Sequence, residues 1–187
     1  MVAESGLPFT VHKIALATGE QNQPTFRQIN PAGLIPAIVD SDGPHGRPLS
    51  IAQSGAIVLY LAQKIGRFIP EDPADKMLAL QWFMQACTDI AGTNAAITLS
   101  STRVAARSEP TIQYFEELLT HYFEIIDTRL KLGPYLANDL SIADIALYPH
   151  FFRRQPLIKA AGLDRLLEWG QMMGARPGVI KGMSLAL

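Results

Sequence analysis

Residues 67–76, RFIPEDPADK, divide the chain into two kinds of sequence. Two prolines and five charged side chains within ten residues make a connector. Upstream, short runs of β-branched and aromatic residues bounded by Gly and Pro read as strands. Downstream, only helical spacing is found, near 76–100, 110–132, 142–153 and 164–174. The expected architecture is therefore α/β followed by all-α: residues 1–68, a linker at 69–75, and residues 76–187.

Within the first part, PFTVHKIAL (8–16) reads as a strand, and PTFRQIN (24–30) as a short helix or turn. Residues 37–40 and 49–51 flank the turn sequence SDGPHGRP and form a hairpin. Pro36 stands at the entrance of the first hairpin strand. Proline cannot donate to a ladder, so it is confined to strand starts, edges and bulges. The segment SGAIVLYLAQKIG then reads as a helix, with Ser54 as N-cap and Gly66 as the stop. Its residues Ile57, Val58, Leu61 and Ile65 share one face.

In the second part, LSIADIALYP carries a helix-start device. Ser141 and Asp144 have capping-box spacing, and Leu140 with Ile145 has the spacing of a hydrophobic staple. This pattern is read as structural. Residues 77–99 hold one formal charge and are long enough to span a bilayer. They also carry Gln81, Gln85, Thr88, Asp89, Thr93 and Asn94, which are costly in lipid, so a buried or interface helix is expected and no membrane association.

Sixteen basic and seventeen acidic residues nearly cancel, and the longest basic run is Arg153-Arg154, so no nucleic-acid partner is expected. A single cysteine, Cys87, excludes an internal disulfide framework and fits a reducing, cytoplasmic compartment. The opening residues contain no secretory signal pattern. No metal is expected.

Three motifs in order, NPAGLIPAIVD, AQSGAIVLYLA and SIADI, make the chain resemble the cytosolic glutathione transferases over nearly its whole length. GLPFTVHKIAL, GEQNQPTF and LQWFM resemble the bacterial branch related to the yeast nitrogen-regulatory prion protein. The resemblance implies a thioredoxin-like first domain with a cis Ile35–Pro36 bond, and X–Pro is the bond type in which cis is accessible. It implies that the Ile35 main chain pairs with glutathione as an added strand, and that Ser54 and the nearby helix N–H groups receive the γ-glutamyl carboxylate. Gln53 and Gln21 complete the implied glutathione contacts. Phe83, Met84 and Thr88 are candidates for the wall of a second-substrate pocket, although such residues more often belong to a core. The implied partners are glutathione as a substrate and a small electrophile or disulfide, with a homodimer as the assembly.

Two departures weaken the expected grip. Gln53 stands where the family usually has an acid, and charge-assisted hydrogen bonds are roughly twice as strong as neutral ones. Leu34 stands where relatives often carry Lys. A third concerns the front of the chain. Family members begin with a strand, a thiol-activating loop and a helix, and Met1 falls near the end of that helix. Either about one βα unit of roughly 15–18 residues is absent, or Met1 is internal to a longer chain. The strand at 9–14 is then expected to re-pair with the hairpin, to borrow a strand from a partner, or to lack order. Neither Ser5 nor Cys87 substitutes for the activating residue. Two functions stay open: thiol transfer or disulfide reduction by glutathione, and a non-catalytic binding or regulatory role.

Overall fold

The computed structural model describes residues 1–186. Strand β1 (Ala37–Asp40) and strand β2 (Leu49–Ala52) form the expected hairpin, antiparallel, with Ala37 opposite Ala52 and Asp40 opposite Leu49. A short helix α1 (Val2–Ser5) and another, α2 (Pro24–Arg27), precede it. Helix α3 (Ser54–Ile65) follows and turns Ile57, Leu61 and Ala62 inward, and Gly66 ends it in the left-handed region at φ 62°. Asp40 fastens the hairpin to this helix: its Oδ2 accepts from Tyr60 Oη and from Lys64 Nζ, each at 2.6 Å. Lys64, and after it Tyr60, holds the Asp40 carboxyl below the usual carboxylate range.

The strand expected at 8–16 does not form. Among the described residues the sheet has two strands, which pair with each other, and no backbone hydrogen bond involves residues 8–13. The β-propensity of Phe9, Thr10, Val11 and Ile14 is a preference for a pleated, half-buried surface, and without a neighbour it yields no ladder. The segment does not re-pair with the hairpin; Val11 is 45% exposed and Lys181 Nζ lies 5.0 Å from the Phe9 ring centroid.

The helical part begins at α4 (Pro73–Gln85), whose N-cap Asp72 accepts from Ala74 N–H and Asp75 N–H at 2.9 and 3.0 Å. It continues through one π turn (Ala86–Ile90) into α5 (Ala91–Thr102). Helices α6 (Glu109–Leu130), α7 (Ile142–Ala160), α8 (Asp164–Gly174) and α9 (Pro177–Ala186) complete it. Their shared core includes Phe83, Ile90, Leu119, Phe123, Ile142, Leu147 and Met173. Among the described residues no helix is long and apolar enough to cross a membrane.

The capping box at α7 forms as expected: Ser141 Oγ accepts from Ala143 N–H, while Asp144 Oδ2 accepts from Ser141 N–H at 3.1 Å. Three features differ from the expected ones, the first being that α4 starts at Pro73, within the expected linker. Helix α7 runs past residue 153 to Ala160, through Pro149 and Pro156, with a break at Arg154 (φ −114°, ψ 18°). Burial of Ile158 holds the continuation in place against the proline penalty. Helix α9 has no counterpart in the sequence pattern, because glycines and a proline crowd residues 174–182. It forms by packing on α1: Arg176 Nε and Nη2 donate to the two carboxylate oxygens of Glu4 at 3.0 Å.

Candidate functional site

The loop before β1 is built by Asn30, which is 5% exposed. Its Nδ2 donates to the Leu34 carbonyl at 2.6 Å and its Oδ1 accepts from Ala32 N–H at 3.1 Å. Gly33 closes the turn at φ 64°, where a Cβ would stand 3.0 Å from the Gln21 carbonyl. Arg27 braces the same loop, donating to Pro31 O at 3.2 Å and Asn22 Oδ1 at 3.1 Å. Gln21 is therefore beside the 30–36 loop, and its Oε1 is buried without a protein partner. Asn30 is a residue that the sequence reading missed, although the Asn-Pro pair is a turn signal that points to it.

Ile35–Pro36 is cis, and Leu34 and Ile35 are 59% and 50% exposed. No described protein group hydrogen-bonds the Ile35 N–H or C=O. The described ladder ends with Ala37 opposite Ala52, so Ile35–Pro36 leads into one strand at the same end of the hairpin from which Gln53 and Ser54 leave the other.

The start of α3 differs from expectation by one residue. Gln53, not Ser54, is the N-cap, at φ 73° and ψ 119°, and no side chain caps the helix. A non-glycine residue there costs about 1–3 kcal/mol and is found mainly at sites over-determined by their surroundings. The reversal at Gln53 turns the chain into the helix before Ser54. The Ser54 hydroxyl is left with no described partner, and the N–H groups of 54–56 precede the first helical bond, Ile57 N–H to Gln53 O. Gln53 and Ser54 are exposed. Exposed orphan donors at the tip of a 12-residue helix favour an anion.

The three second-substrate candidates are neighbours on one helix but face different surroundings. Phe83 is 2% exposed and lies in the core, whereas Met84 is 49% exposed and Thr88 is exposed, its Oγ1 donating to Met84 O at 2.9 Å. Phe83 and Cys87 instead pack beneath Gly55, a contact with no sequence signal because it joins distant elements. Burial pushes the Cys87 thiol up. Among the described residues no three His, Cys, Asp or Glu side chains gather as a metal site.

The glutathione S-transferase N-terminal domain matches residues 1–64. Disulfide-bond oxidoreductase YfcG of Escherichia coli K12 is 32% identical over 179 residues, an alignment covering 93% of this chain and 82% of YfcG. The chain belongs to the glutathione S-transferase family. Solved structures of that family superpose closely. A Pseudomonas putida glutathione transferase, with one glutathione disulfide bound per subunit, matches with a TM-score of 0.89 and 27% identity, over 97% of this chain and 83% of that one. A Burkholderia graminis glutathione transferase, with two glutathione molecules bound per subunit, matches with a TM-score of 0.88 and 29% identity, over 97% and 80%. The architecture is that of a glutathione transferase: a thioredoxin-like first part and a helical second part.

Proposed function

We propose that this chain binds glutathione across the open end of the β1–β2 hairpin and uses its thiol to reduce a disulfide or to attack a small electrophile. The observation that supports the reading is that an unpartnered, exposed Ile35 main chain precedes β1 and the uncapped N-terminus of α3 follows β2, at the same end of one hairpin. In this reading the Ile35 N–H and C=O hold the peptide as an added strand. The Ser54 hydroxyl and the N–H groups of 54–56 receive the γ-glutamyl carboxylate. Gln53 accepts from the glutathione amine, and Gln21 offers its carboxamide from the adjoining loop. Met84 and Thr88 supply the rim of the second-substrate pocket, with Phe83 as packing behind them. The bound glutathione disulfide of the Pseudomonas putida relative and the oxidoreductase name of YfcG favour disulfide chemistry over conjugation.

A second reading, a non-catalytic binding or regulatory protein, is favoured by one observation. The side chains that could lower the thiol pKa are engaged or unsuited: Ser5 Oγ donates to Val2 O at 2.7 Å, and the Cys87 thiol is pushed up by burial. The domain division at 69–75, a cytoplasmic setting and a homodimer belong to the same proposal. Exposed Leu99, Val104 and Tyr114, near the turn between α5 and α6, support a covered face.

Calorimetric titration with reduced and oxidised glutathione, followed by reduction of a small aliphatic disulfide and conjugation to an aromatic electrophile, tests the reading. Binding with disulfide turnover supports it. Binding without turnover supports the second reading, and no binding defeats both.

A further inference from the structure

The tip of α3 rests on the π turn of the helical part. A Cβ placed on Gly55, the second residue of α3, would stand 3.1 Å from Cys87 Sγ, 3.6 Å from Phe83 Cζ and 3.7 Å from Cys87 Cβ. The first distance is tighter than ordinary carbon–sulfur contact, so only a residue without a side chain lets the tip come this close. Phe83 and Cys87 stand four apart, on one face where α4 runs into the π turn. Such turns occur frequently at functional sites. Phe83 is 2% exposed within the core and backs the half-buried Cys87, so an added methyl on Gly55 would have to displace the Cys87 sulfur by a few tenths of an ångström.

We propose that Cys87 is a positioning residue for glutathione: its sulfur is the stop that fixes the height of the α3 tip relative to Ile35. The proposal rests on the glutathione reading above. The two gripping groups belong to different segments, the loop at Ile35 and the helix tip at residues 54–56, and their separation must match one small peptide. The loop is held by Asn30 and the hairpin; the tip is held from below by Cys87 and Phe83. The Cys87 thiol acts here through its size, and burial keeps it protonated. Displacing the tip by a few tenths of an ångström lengthens every bond it makes to a carboxylate while leaving the Ile35 pairing in place.

The test is a double-variant cycle read by calorimetric titration with reduced glutathione. Gly55→Ala is a helix-compatible change whose added methyl meets Cys87 Sγ, and it is expected to weaken binding about tenfold. Cys87→Ala in the same chain removes the sulfur and is expected to bring affinity back to within about threefold of Cys87→Ala alone. Wild-type binding with no loss in Gly55→Ala, or a double variant as weak as Gly55→Ala, overturns the inference and leaves the glutathione reading standing. A wild type that takes up no glutathione overturns that reading instead. The contact is then judged by thermal midpoints, which fall in Gly55→Ala and recover in the double variant if Cys87 is the stop. Midpoints that do not recover contradict it.

Discussion

Trp169 donates its indole N–H to Asp144 across 3.0 Å, joining α8 to the first turn of α7 where Asp144 has no exposed surface. Asp144 also accepts from Leu136 N–H, Ser141 N–H and Ser141 Oγ, each at 3.1 Å. Burial raises its carboxyl above the usual carboxylate range, outweighing the pull of these four donors. A helix-start device has thus become the polar centre of the bundle. The same turn reaches the connector, since Ile142 N–H donates to Phe68 O at 2.9 Å.

Asp144→Ala strands four donors in the core and is expected to lower unfolding free energy by roughly 3–5 kcal/mol. Trp169→Phe removes one donor and is expected to cost roughly 1–2 kcal/mol. Urea unfolding with an unchanged denaturant slope measures both. An Asp144→Ala protein as stable as wild type contradicts this account of the bundle.

The Glu4–Arg176 pair is bidentate, with the Glu4 side chain 9% and the Arg176 side chain 27% exposed. Glu4→Gln keeps the shape but leaves the guanidinium without its charge partner. An expected loss of about 1–3 kcal/mol should persist in roughly 0.5 M salt, because pairs out of solvent are weakly screened. A loss that vanishes with added salt would show a surface pair.

His150 sets the pH dependence on the acid side. Burial first, and Arg153 second, lower its pKa from 6.5 to about 4, and its Nδ1 lies 3.2 Å from the Asn94 amide. Arg154 Nε donates to the same Asn94 at 2.6 Å, on its Oδ1. The unfolded chain therefore binds a proton at higher pH than the folded one. The stability contribution is complete above about pH 6.5 and is lost as pH falls toward about 4, by up to about 3 kcal/mol. His150→Gln should flatten that part of the stability curve. An unchanged slope excludes His150 as its source.

Local pattern carried much of this molecule, and distant pairing carried the rest. The hairpin, the Gly66 stop, and the Ser141–Asp144 start were legible because each depends on residues within a few positions. The segment at 8–16 misled, because its composition reports a preference for a neighbour and not the presence of one. Helix α7 was expected to end near 153, yet it runs on through Pro156 to Ala160, held by the buried Ile158. The exchange of Gln53 for Ser54 as N-cap depends on one positive φ, which Gln does not advertise. Phe83 was ambiguous between core and pocket, and the seat it forms with Cys87 under Gly55 joins α3 to a later helix that no local pattern connects to it.

Gln53→Glu supplies the acid that relatives usually carry and is expected to tighten reduced glutathione by roughly three- to tenfold at neutral pH. The gain should shrink as salt rises. Titration of both forms measures it, and weaker binding by the Gln53→Glu variant argues that Gln53 does not meet the glutathione amine.

The central claim is that glutathione lies between the Ile35 main chain and the α3 tip. Amide-resolved NMR during titration with reduced glutathione tests it most directly, on the wild type and on Ser54→Ala. The account predicts saturable shifts led by the amides of Ile35, Ser54, Gly55 and Ala56, with about five- to twentyfold weaker binding in Ser54→Ala. No saturable shifts, or shifts centred elsewhere and unaffected by Ser54→Ala, would contradict it.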